Sequence, residues 1–308
     1  MKRIIFLTSF VLILTGFSKQ AVAQYYFYND TYYDSPVLFE LGASGGIMNC
    51  LTDLGGKKGI GKKFIKDLNL GKTHMQGGLY FEAMIKYAVG IRLEAMFGKV
   101  SADDNVLKDV DVKDIARARY NRNLSFRSSI SEFSLTTEIH PLFIFIDWTA
   151  RDEDPPRISP YLLAGVGYYS FNPQTQYNGR WVDLQPLKTE GEGFVNDRPE
   201  YKLKQLNFPV GLGIKYELSD VLNLRGEFVY RILRTDYLDD VSTTYFDPAA
   251  YANSGLSAAD QALSYKLSSR QISTITGPGG KRGSPSQKDG YFTFNLKLGL
   301  YIGRERIR

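Results

Sequence analysis

Apolar and polar residues alternate with a period of two in several parts of the chain. Between residues 205 and 218 every even position is apolar, and the odd positions are Gln, Asn, Pro, Gly, Gly, Lys and Glu. Residues 222–232 show a similar alternation after Ser219-Asp220, a dipeptide typical of tight turns. A period of two indicates a β-strand with one apolar and one polar face. The two stretches therefore predict an antiparallel β-hairpin.

Six further stretches have the same character, so eight strands are predicted in total. Residues 79–87 and 91–97 form a second hairpin, and residues 37–48, 125–140, 158–171 and 292–302 complete the set. Residues 158–171 are apolar on both faces, which leaves their register open.

The lengths of the connections alternate along the chain. Those at 49–76, 100–124, 172–204 and 233–290 are long, those at 88–90 and 219–220 are short, and that at 141–157 is intermediate. In outer-membrane barrels the periplasmic turns are short and the extracellular loops are long. The sequence therefore predicts an all-β fold, an eight-stranded antiparallel transmembrane β-barrel of the outer-membrane type, with long extracellular loops and both chain ends in the periplasm.

The first residues indicate export. Lys2 and Arg3 precede an apolar run at 4–14, and Ala21-Val22-Ala23 has the small-x-small pattern that signal peptidase recognises. The run is shorter than the ~20 apolar residues of a transmembrane helix, so cleavage after Ala23 is favoured over a retained anchor. Cys50, the only cysteine, lies too far along the chain for a lipoprotein anchor. The predicted organisation is a signal peptide at 1–23, a periplasmic segment at 24–36, an outer-membrane barrel at 37–303 and a basic periplasmic tail at 304–308.

The polar face of the predicted strands carries six basic and seven acidic residues. They are Glu40, Glu82, Lys86, Arg92, Glu94, Glu132, Glu138, Lys215, Glu217, Arg225, Glu227, Arg231 and Lys297. A soluble barrel would turn this face to solvent and bury its apolar face. The signal peptide and the loop asymmetry favour the reverse arrangement, with the charges inside. Eight strands leave room only for side chains, so we expect paired charges to fill the lumen and the barrel to conduct little.

Composition narrows the classes of partner. The 21 Tyr, 19 Phe and 29 Gly are typical of short strands separated by turns. The formal charge of +5 is small for 308 residues, and no basic face with interleaved aromatic residues repeats along the chain. We therefore expect outer-membrane lipid and lipopolysaccharide as partners, and no nucleic acid.

Four ordered stretches resemble a known group of proteins. They are residues 159–179 (SPYLLAGVGYYSFNPQTQYNG), 181–193 (WVDLQPLKTEGEG), 205–220 (QLNFPVGLGIKYELSD) and 234–248 (RTDYLDDVSTTYFDP). In this order they resemble the small outer-membrane β-barrels of the Bacteroidetes, a family that includes the PorG-like barrel of the type IX secretion system. The resemblance implies a non-enzymatic accessory or anchoring component of that system, with a periplasmic ring lipoprotein as a partner.

Residues with catalytic chemistry are few. His74 lies in a predicted long loop, and His140 lies at a strand end on the periplasmic side. No Ser/His/acid triad of a lipid-modifying enzyme is therefore expected at the outer rim, and neither a catalytic residue nor a cofactor is predicted. Residues 55–63 (GGKKGIGKK) lack the spacing of a phosphate-binding loop. A basic outer loop that faces lipopolysaccharide is the favoured interpretation.

An acidic motif follows the strand that ends near residue 232. It consists of Asp236, Tyr237, Leu238, Asp239 and Asp240, with Asp247 nearby. Loop carboxylates can hold Ca²⁺, but the spacing is not that of an EF-hand. The favoured interpretation is a self-capping loop or contact surface at the barrel mouth, because the motif lies within a stretch that resembles the family; no metal site is predicted.

An apolar segment, FIFIDW at 143–148, lies at the predicted periplasmic rim. Phe143, Phe145 and Trp148 fit a strand extension or an interfacial anchor, which is the first interpretation. The alternative is a docking site for a periplasmic partner, together with the Tyr-rich residues 25–33 and the basic tail.

Three functions follow from these observations. The first is the accessory or anchoring role in type IX protein secretion. The second is a free-standing OmpA- or OmpX-like surface barrel for envelope integrity or adhesion. The third is a small-solute pore. Partners at the periplasmic rim distinguish the first from the second, and conductance distinguishes the third.

Overall fold

The computed structural model of the protein describes residues 37–56, 70–146, 156–219, 221–273 and 276–302. Ten β-strands lie in these ranges. They are β1 (Val37–Leu51), β2 (His74–Ile85), β3 (Val89–Asp103), β4 (Ser125–Ile139), β5 (Ile158–Ser170), β6 (Pro173–Tyr177), β7 (Arg180–Asp183), β8 (Lys204–Glu217), β9 (Leu222–Leu233) and β10 (Gly290–Ile302). The short strands β6 and β7 form a hairpin that adds to the loop end of β4.

The eight long strands close into a single antiparallel barrel. They pair in the order β1-β2-β3-β4-β5-β8-β9-β10. The first and last strands then pair with each other, from Phe39 opposite Ile302 to Leu51 opposite Gly290. The predicted eight-stranded antiparallel barrel is therefore confirmed.

The two faces of the barrel are reversed relative to a soluble protein. Apolar side chains point outward, such as Leu93, which is 57% exposed, and Phe133, which is 61% exposed. Charged side chains point inward, and Glu138 and Lys215 are buried. A soluble barrel places its apolar residues around an inner core, whereas a barrel of the outer-membrane type turns them toward lipid. The structure has the second arrangement.

The two ends of the barrel carry different connections. Residues 86–88, 140–157 and 218–221 join strands at one end, here called the short-turn end. Residues 52–73, 104–124, 171–203 and 234–289 join strands at the other end, and we call the described residues of these connections the loop cap. The loop cap contains the helices α1 (Arg117–Arg122) and α3 (Ala258–Ser268), and the short-turn end contains α2 (Pro141–Ile144). The alternation of long and short connections agrees with the sequence prediction.

None of the helices in the described ranges has both the length and the apolar character needed to cross a membrane.

The main apolar cluster joins the barrel to the loop cap. Met48, Phe126 and Tyr291 on the strands pack with Phe171 and Leu238 from the loops. Burial of these side chains holds the cap against the barrel mouth, because apolar surface removed from water contributes roughly 25 cal/mol per Å². The cap is therefore a packed layer, although the sequence predicts only loops there.

Two strands extend further toward the loop cap than the alternation predicts. β2 begins at His74 rather than at residue 79, and β3 continues to Asp103 rather than ending at residue 97. His74 is thus a strand residue and not a loop residue. Backbone pairing continues along these extensions, with His74 opposite Met48 and Ser101 opposite Arg127. The apolar and polar contrast fades there because polar residues stand on the extensions.

The turn between β2 and β3 corrects the prediction for Lys86. Lys86 and Tyr87 have φ angles of 48° and 56°, in the left-handed region that turns use. Lys86 is exposed, so its predicted position on the inner face is wrong. Tyr87 is buried. The period of two fails at these residues because the chain has already left the strand.

Several sequence predictions concern residues outside the described ranges. They are the signal peptide at 1–23, the periplasmic segment at 24–36, residues 57–63 of the basic loop, Trp148, and the tail at 304–308. They stay predictions.

Candidate functional site

Arg225 on β9 is the centre of an interior charge network. Its guanidinium is fully buried and lies 2.5 Å from a Glu40 oxygen and 2.8 Å from a Glu138 oxygen. The Nη1 atom is also 2.6 Å from Glu82. The three carboxylates belong to β1, β4 and β2, so one side chain connects strands across the lumen.

Arg92 and Lys297 form a second group next to Arg225. Arg92 pairs with Glu138, and its Nη1 lies 2.8 Å from Glu227. Lys297 Nζ lies 2.6 Å from Glu94 and 3.0 Å from Glu227. Glu227 therefore bridges a cation from β3 and a cation from β10.

The network continues toward both ends of the barrel. Near the short-turn end, Lys215 lies 3.4 Å from Glu217, which also accepts a hydrogen bond of 2.6 Å from the Tyr301 hydroxyl. Near the loop cap, Arg231 lies 3.4 Å from Glu132. The ion pairs thus follow the interior over most of its height.

All the predicted interior charges except Lys86 are buried inside the barrel. They are seven carboxylates and five cations, and each carboxylate has a Lys or Arg nitrogen within 3.4 Å. Buried charges are tolerated where ionic and hydrogen-bonding partners replace water. Chemically, this arrangement fills the space that an open channel would leave to water.

Two buried arginines hold the loop cap together. Arg122 on α1 donates two hydrogen bonds of 2.8 Å to Asp104, and it also donates to the carbonyl oxygen of Asp53 at 2.7 Å. Arg282 donates to Glu190 at 2.7 Å. Arg122 further donates to the Arg282 carbonyl oxygen at 2.6 Å. Since these residues belong to four different long loops, the two guanidinium groups tie all of them into one unit.

The two last acids of the predicted acidic motif bond to the other loops. Asp240 accepts hydrogen bonds from the Thr189 hydroxyl at 2.5 Å and from the Tyr201 hydroxyl at 2.6 Å. Asp239 accepts from the backbone N–H groups of Leu54 at 3.2 Å and Val241 at 2.9 Å. These contacts are those of a loop that caps its neighbours at the barrel mouth.

The middle of the motif is apolar and packed. Leu238 is buried in the main apolar cluster, and the Tyr237 ring stacks on Tyr201 with centroids 4.8 Å apart. Asp236 is also buried. The structure therefore brings all five residues of the motif into the loop cap.

Burial raises the pKa of several cap carboxyls. The pKa of Asp236 is raised from 3.8 to about 7, mainly by burial and further by the charge of Asp53. Burial and then the charges of Asp240 and Glu190 raise the pKa of Glu192 from 4.5 to about 8. Protons are therefore part of the cap structure near neutral pH.

His140 lies in a buried polar group at the short-turn end. Its Nδ1 is 2.7 Å from Ser159 Oγ, and its Nε2 is 3.4 Å from Glu138 Oε2. The sequence prediction concerned the outer rim, and this Ser/His/acid group lies at the opposite, short-turn end, where the sequence places His140. All three residues are buried, and Glu138 is also paired with Arg92 and Arg225. A nucleophile has to reach its substrate, so this arrangement does not support an enzymatic reaction.

One signal for this group was present in the sequence. Glu138 and His140 are two residues apart, so they share one face of β4 and its extension. Ser159 could not be assigned to this group from the sequence. The face of β5 on which it lies depends on the register of that strand, which the pattern left open. The cap residues Arg122 and Arg282 had no local signal, since Arg282 and Glu190 are 92 residues apart.

The apolar segment at the short-turn end is helical at its start. Residues 141–144 form α2, so a strand extension is the wrong interpretation for them. Phe143 stacks on Tyr87 with centroids 5.8 Å apart. Phe145 is 82% exposed, and Trp148 lies outside the described ranges. An interfacial anchor and a docking site both stay predictions for this segment.

Comparisons with known proteins give structural similarities only. No protein-family profile and no curated protein matches the sequence. The chain is similar to the N-terminal β-barrel domain of Pseudomonas aeruginosa OprF, with 9% identity, a TM-score of 0.33, and coverage of 86% of this chain and 97% of that chain. It is similar to Neisserial surface protein A with 7% identity, a TM-score of 0.36, and coverage of 87% and 98%. It is similar to a major outer membrane protein from Thermus thermophilus with 14% identity, a TM-score of 0.36, and coverage of 86% and 99%.

Proposed function

We propose that this chain is a plugged outer-membrane barrel that presents its folded loop cap at the cell surface. In this function it is a free-standing surface barrel that serves envelope integrity or adhesion and conducts little. The observation that carries the proposal is the interior of the barrel, where every carboxylate of the charge network has a cationic partner.

The apolar exterior supports the location in a membrane. Leu41, Phe81, Leu93, Phe133 and Leu298, from five different strands, are all exposed. A continuous apolar belt of this kind would be an aggregation surface in water, because soluble monomers rarely expose large apolar patches. In a bilayer the same belt faces hydrocarbon.

The loop cap supports a role at the surface. Its interior is fixed by Arg122 and Arg282, while Val112, Ile115 and Tyr265 are exposed on it. A packed cap presents these side chains in a fixed arrangement. Fixed arrangements suit recognition, because less conformational entropy is lost when a partner binds.

Conductance measurements test the closed lumen. The purified full-length chain is inserted into planar lipid bilayers at neutral pH, with detergent alone as the control. We expect no steady single-channel current, because side chains occupy the lumen. Large and steady currents would contradict the proposal and favour the small-solute pore.

Site-directed labelling tests which end faces outward. In a background with buried Cys50 replaced by Ala, one variant carries Val112→Cys in the loop cap and a matched variant carries Phe145→Cys at the short-turn end. We expect a membrane-impermeant maleimide to label intact cells of the first variant only. Labelling of the second variant alone would place the cap in the periplasm and exclude a surface role.

A role in type IX secretion is the second candidate. The observation in its favour is the exposed Phe145 at the short-turn end, where a periplasmic ring lipoprotein would dock. Depletion of the protein in its host, followed by an assay of cargo that carries the C-terminal secretion signal, tests this role. Lost secretion, together with cross-linking of a periplasmic lipoprotein that Phe145→Ser abolishes, would favour it over the surface barrel. Normal secretion without such a partner would exclude it.

A further inference from the structure

The charges inside the barrel do not balance. The described interior holds seven carboxylates and five cations, which leaves two negative charges in excess when His140 is neutral. Removing a charge from water is costly unless another charge compensates it. The excess therefore calls for protons or for a bound cation.

One group of interior side chains has the donors of a metal site. Glu82, Glu138 and His140 each offer a ligand atom, and these atoms lie within 4.8 Å of one another. Among the residues that the structure describes, no other three His, Cys, Asp or Glu side chains converge in this way. All three are buried. The group coincides with the part of the interior where Glu82 has a single cationic partner, Arg225.

The spacing of His140 and Glu138 matches that of two ligands of one metal ion. His140 Nε2 and Glu138 Oε2 are 3.4 Å apart, which is long for a hydrogen bond. Two ligand atoms that each lie about 2.0–2.1 Å from a tetrahedral ion are separated by about 3.3 Å. The two atoms are therefore already as far apart as a shared ion would hold them.

Two of the three side chains, His140 and Glu82, offer donor atoms without a hydrogen-bond partner among the described residues, whereas Glu138 Oε2 accepts a hydrogen bond of 2.8 Å from Arg225. His140 is 1% exposed, and within the described residues its Nε2 has no hydrogen bond. Both oxygens of Glu82 also lack a hydrogen bond among the described residues, and Oε2 forms an ion pair with Arg225 Nη1 at 2.6 Å. Ser159 holds the other ring nitrogen of His140 at 2.7 Å, as outer-shell partners do for histidines that bind metals.

A glycine leaves room for this group. Gly90 lies directly opposite Glu138 in the β3–β4 ladder. A Cβ atom at Gly90 would collide with the Glu82 carboxylate. The absence of a side chain at this position allows Glu82, on β2, to reach past β3 toward Glu138 and His140 on β4 and its extension.

We propose that Glu82, Glu138 and His140 bind one divalent transition-metal ion of the Zn²⁺ class inside the short-turn end of the barrel. An imidazole ligand selects such ions over Ca²⁺ and Mg²⁺, which prefer oxygen ligands alone. The two charges of the ion cancel the excess of the interior. Arg225 Nη1 lies 2.6 Å from Glu82 and 2.8 Å from Glu138, and its Nη2 pairs with Glu40, so the ion would share these two carboxylates with the guanidinium. The ion links β2 to the end of β4, and its role is structural.

Metal retention by the full-length chain in detergent tests the site. The protein is saturated with Zn²⁺, dialysed against metal-free buffer and analysed for zinc by mass spectrometry. Co²⁺ replaces Zn²⁺ in a parallel sample, because its visible absorption reports the ligands. The variants are His140→Ala, Glu82→Gln and Ser159→Ala. His74→Ala is the matched control, since His74 is the other histidine of the chain and lies at the opposite end of the barrel.

We expect the wild type and H74A to retain about one ion per chain, and H140A and E82Q to retain none. S159A keeps all three ligands and should bind roughly 10–100-fold more weakly. Folding of each variant is checked by the shift of electrophoretic mobility on heating. If H140A does not fold, the amounts of zinc that E82Q and S159A retain test the proposal. Wild-type protein without bound metal, or folded E82Q or H140A with the full amount, would overturn the proposal and leave protons as the compensating charge.

Discussion

Replacing Arg225 by Met should destabilise the barrel more than any other single change at its interior. Methionine keeps much of the length of the side chain but removes the charge. Glu82 then loses its single cationic partner in the described interior. Glu40 keeps a hydrogen bond of 2.5 Å from Tyr80 and a distant lysine, Lys215, at 3.8 Å. Glu138 keeps Arg92.

The expected loss follows from these remaining contacts. Removing one partner of a buried ion pair lowers the free energy of unfolding by about 3–5 kcal/mol, because the other charge stays buried without compensation. In the metal-free protein, the charges that R225M leaves uncompensated are those of Glu82 and, in part, Glu40. We therefore expect R225M to lose about 4 kcal/mol relative to the wild type.

Urea unfolding in lipid vesicles measures this loss, with heat-dependent electrophoretic mobility as the signal for the closed barrel. Lys86→Met is the matched control, because Lys86 is exposed in the turn after β2 and should change the stability by about 0.5 kcal/mol or less. The double variant R225M/E82Q removes both members of one pair. The double variant should recover part of the lost stability, because the effects of substituting two side chains in contact are not additive. R225M that unfolds at the same urea concentration as K86M would refute the view that ion pairs hold the interior together.

Three further predictions concern the loop cap and the close contacts of the barrel. Arg282→Met should open the cap while the barrel stays closed, because the variant leaves Glu190 without its cation; faster proteolysis of residues 234–289 with unchanged mobility on heating checks this. The cap should lose stability as the pH rises from 4 to 8, since Asp236 and Glu192 have pKa values raised to about 7 and about 8 and bind protons more tightly in the folded state than in the unfolded one. For Asp236 the loss of stability reaches up to about 4 kcal/mol. Hydrogen exchange at the cap amides, corrected for the pH dependence of the intrinsic exchange rates, measures this loss. The variant Asp236→Asn should show a smaller loss between pH 4 and 8. Gly42→Val should destabilise the barrel by about 1–3 kcal/mol, because a Cβ atom there meets the ring of Tyr80, whereas Gly45→Val, with open space around it, should unfold like the wild type in urea.

The barrel was predictable because its pattern is local. In β8 and β9 the inward and outward positions differ at almost every residue, since one side meets lipid and the other meets charges. The pattern stops being informative where the surroundings change. The prediction that Lys86 lies on the inner face is wrong because the turn conformation begins before the alternation in the sequence ends. The prediction for His74 is wrong because Gly77 and Gly78 interrupt the alternation, although the strand continues past them.

The contacts between side chains were not predictable in the same way. The sequence predicts which side chains of a strand face inward, but it does not predict which charges on other strands they pair with. Arg225 and Glu40 are 185 residues apart, and Lys297 and Glu94 are 203 residues apart. Their meeting depends on the stagger of all the strands between them. The contacts of the loop cap were even less predictable. The partners of Arg122 and Arg282 lie on other loops, so they are known only when the four loops are folded together.

These long-range pairs affect how the barrel assembles. Glu40 on β1 and Glu82 on β2 both pair with Arg225 on β9, so the first hairpin enters the membrane before its cationic partner has been inserted. A shift of one strand by one residue would turn the interior charges of that strand toward lipid, where a Lys or Arg near the midplane costs about 2–4 kcal/mol. The ion pairs therefore favour closure of the barrel in the correct register over closure in a shifted register. The seam between the first and last strands brings Lys297 to Glu94, and until that seam forms the nascent barrel has to keep its inner face in contact with water.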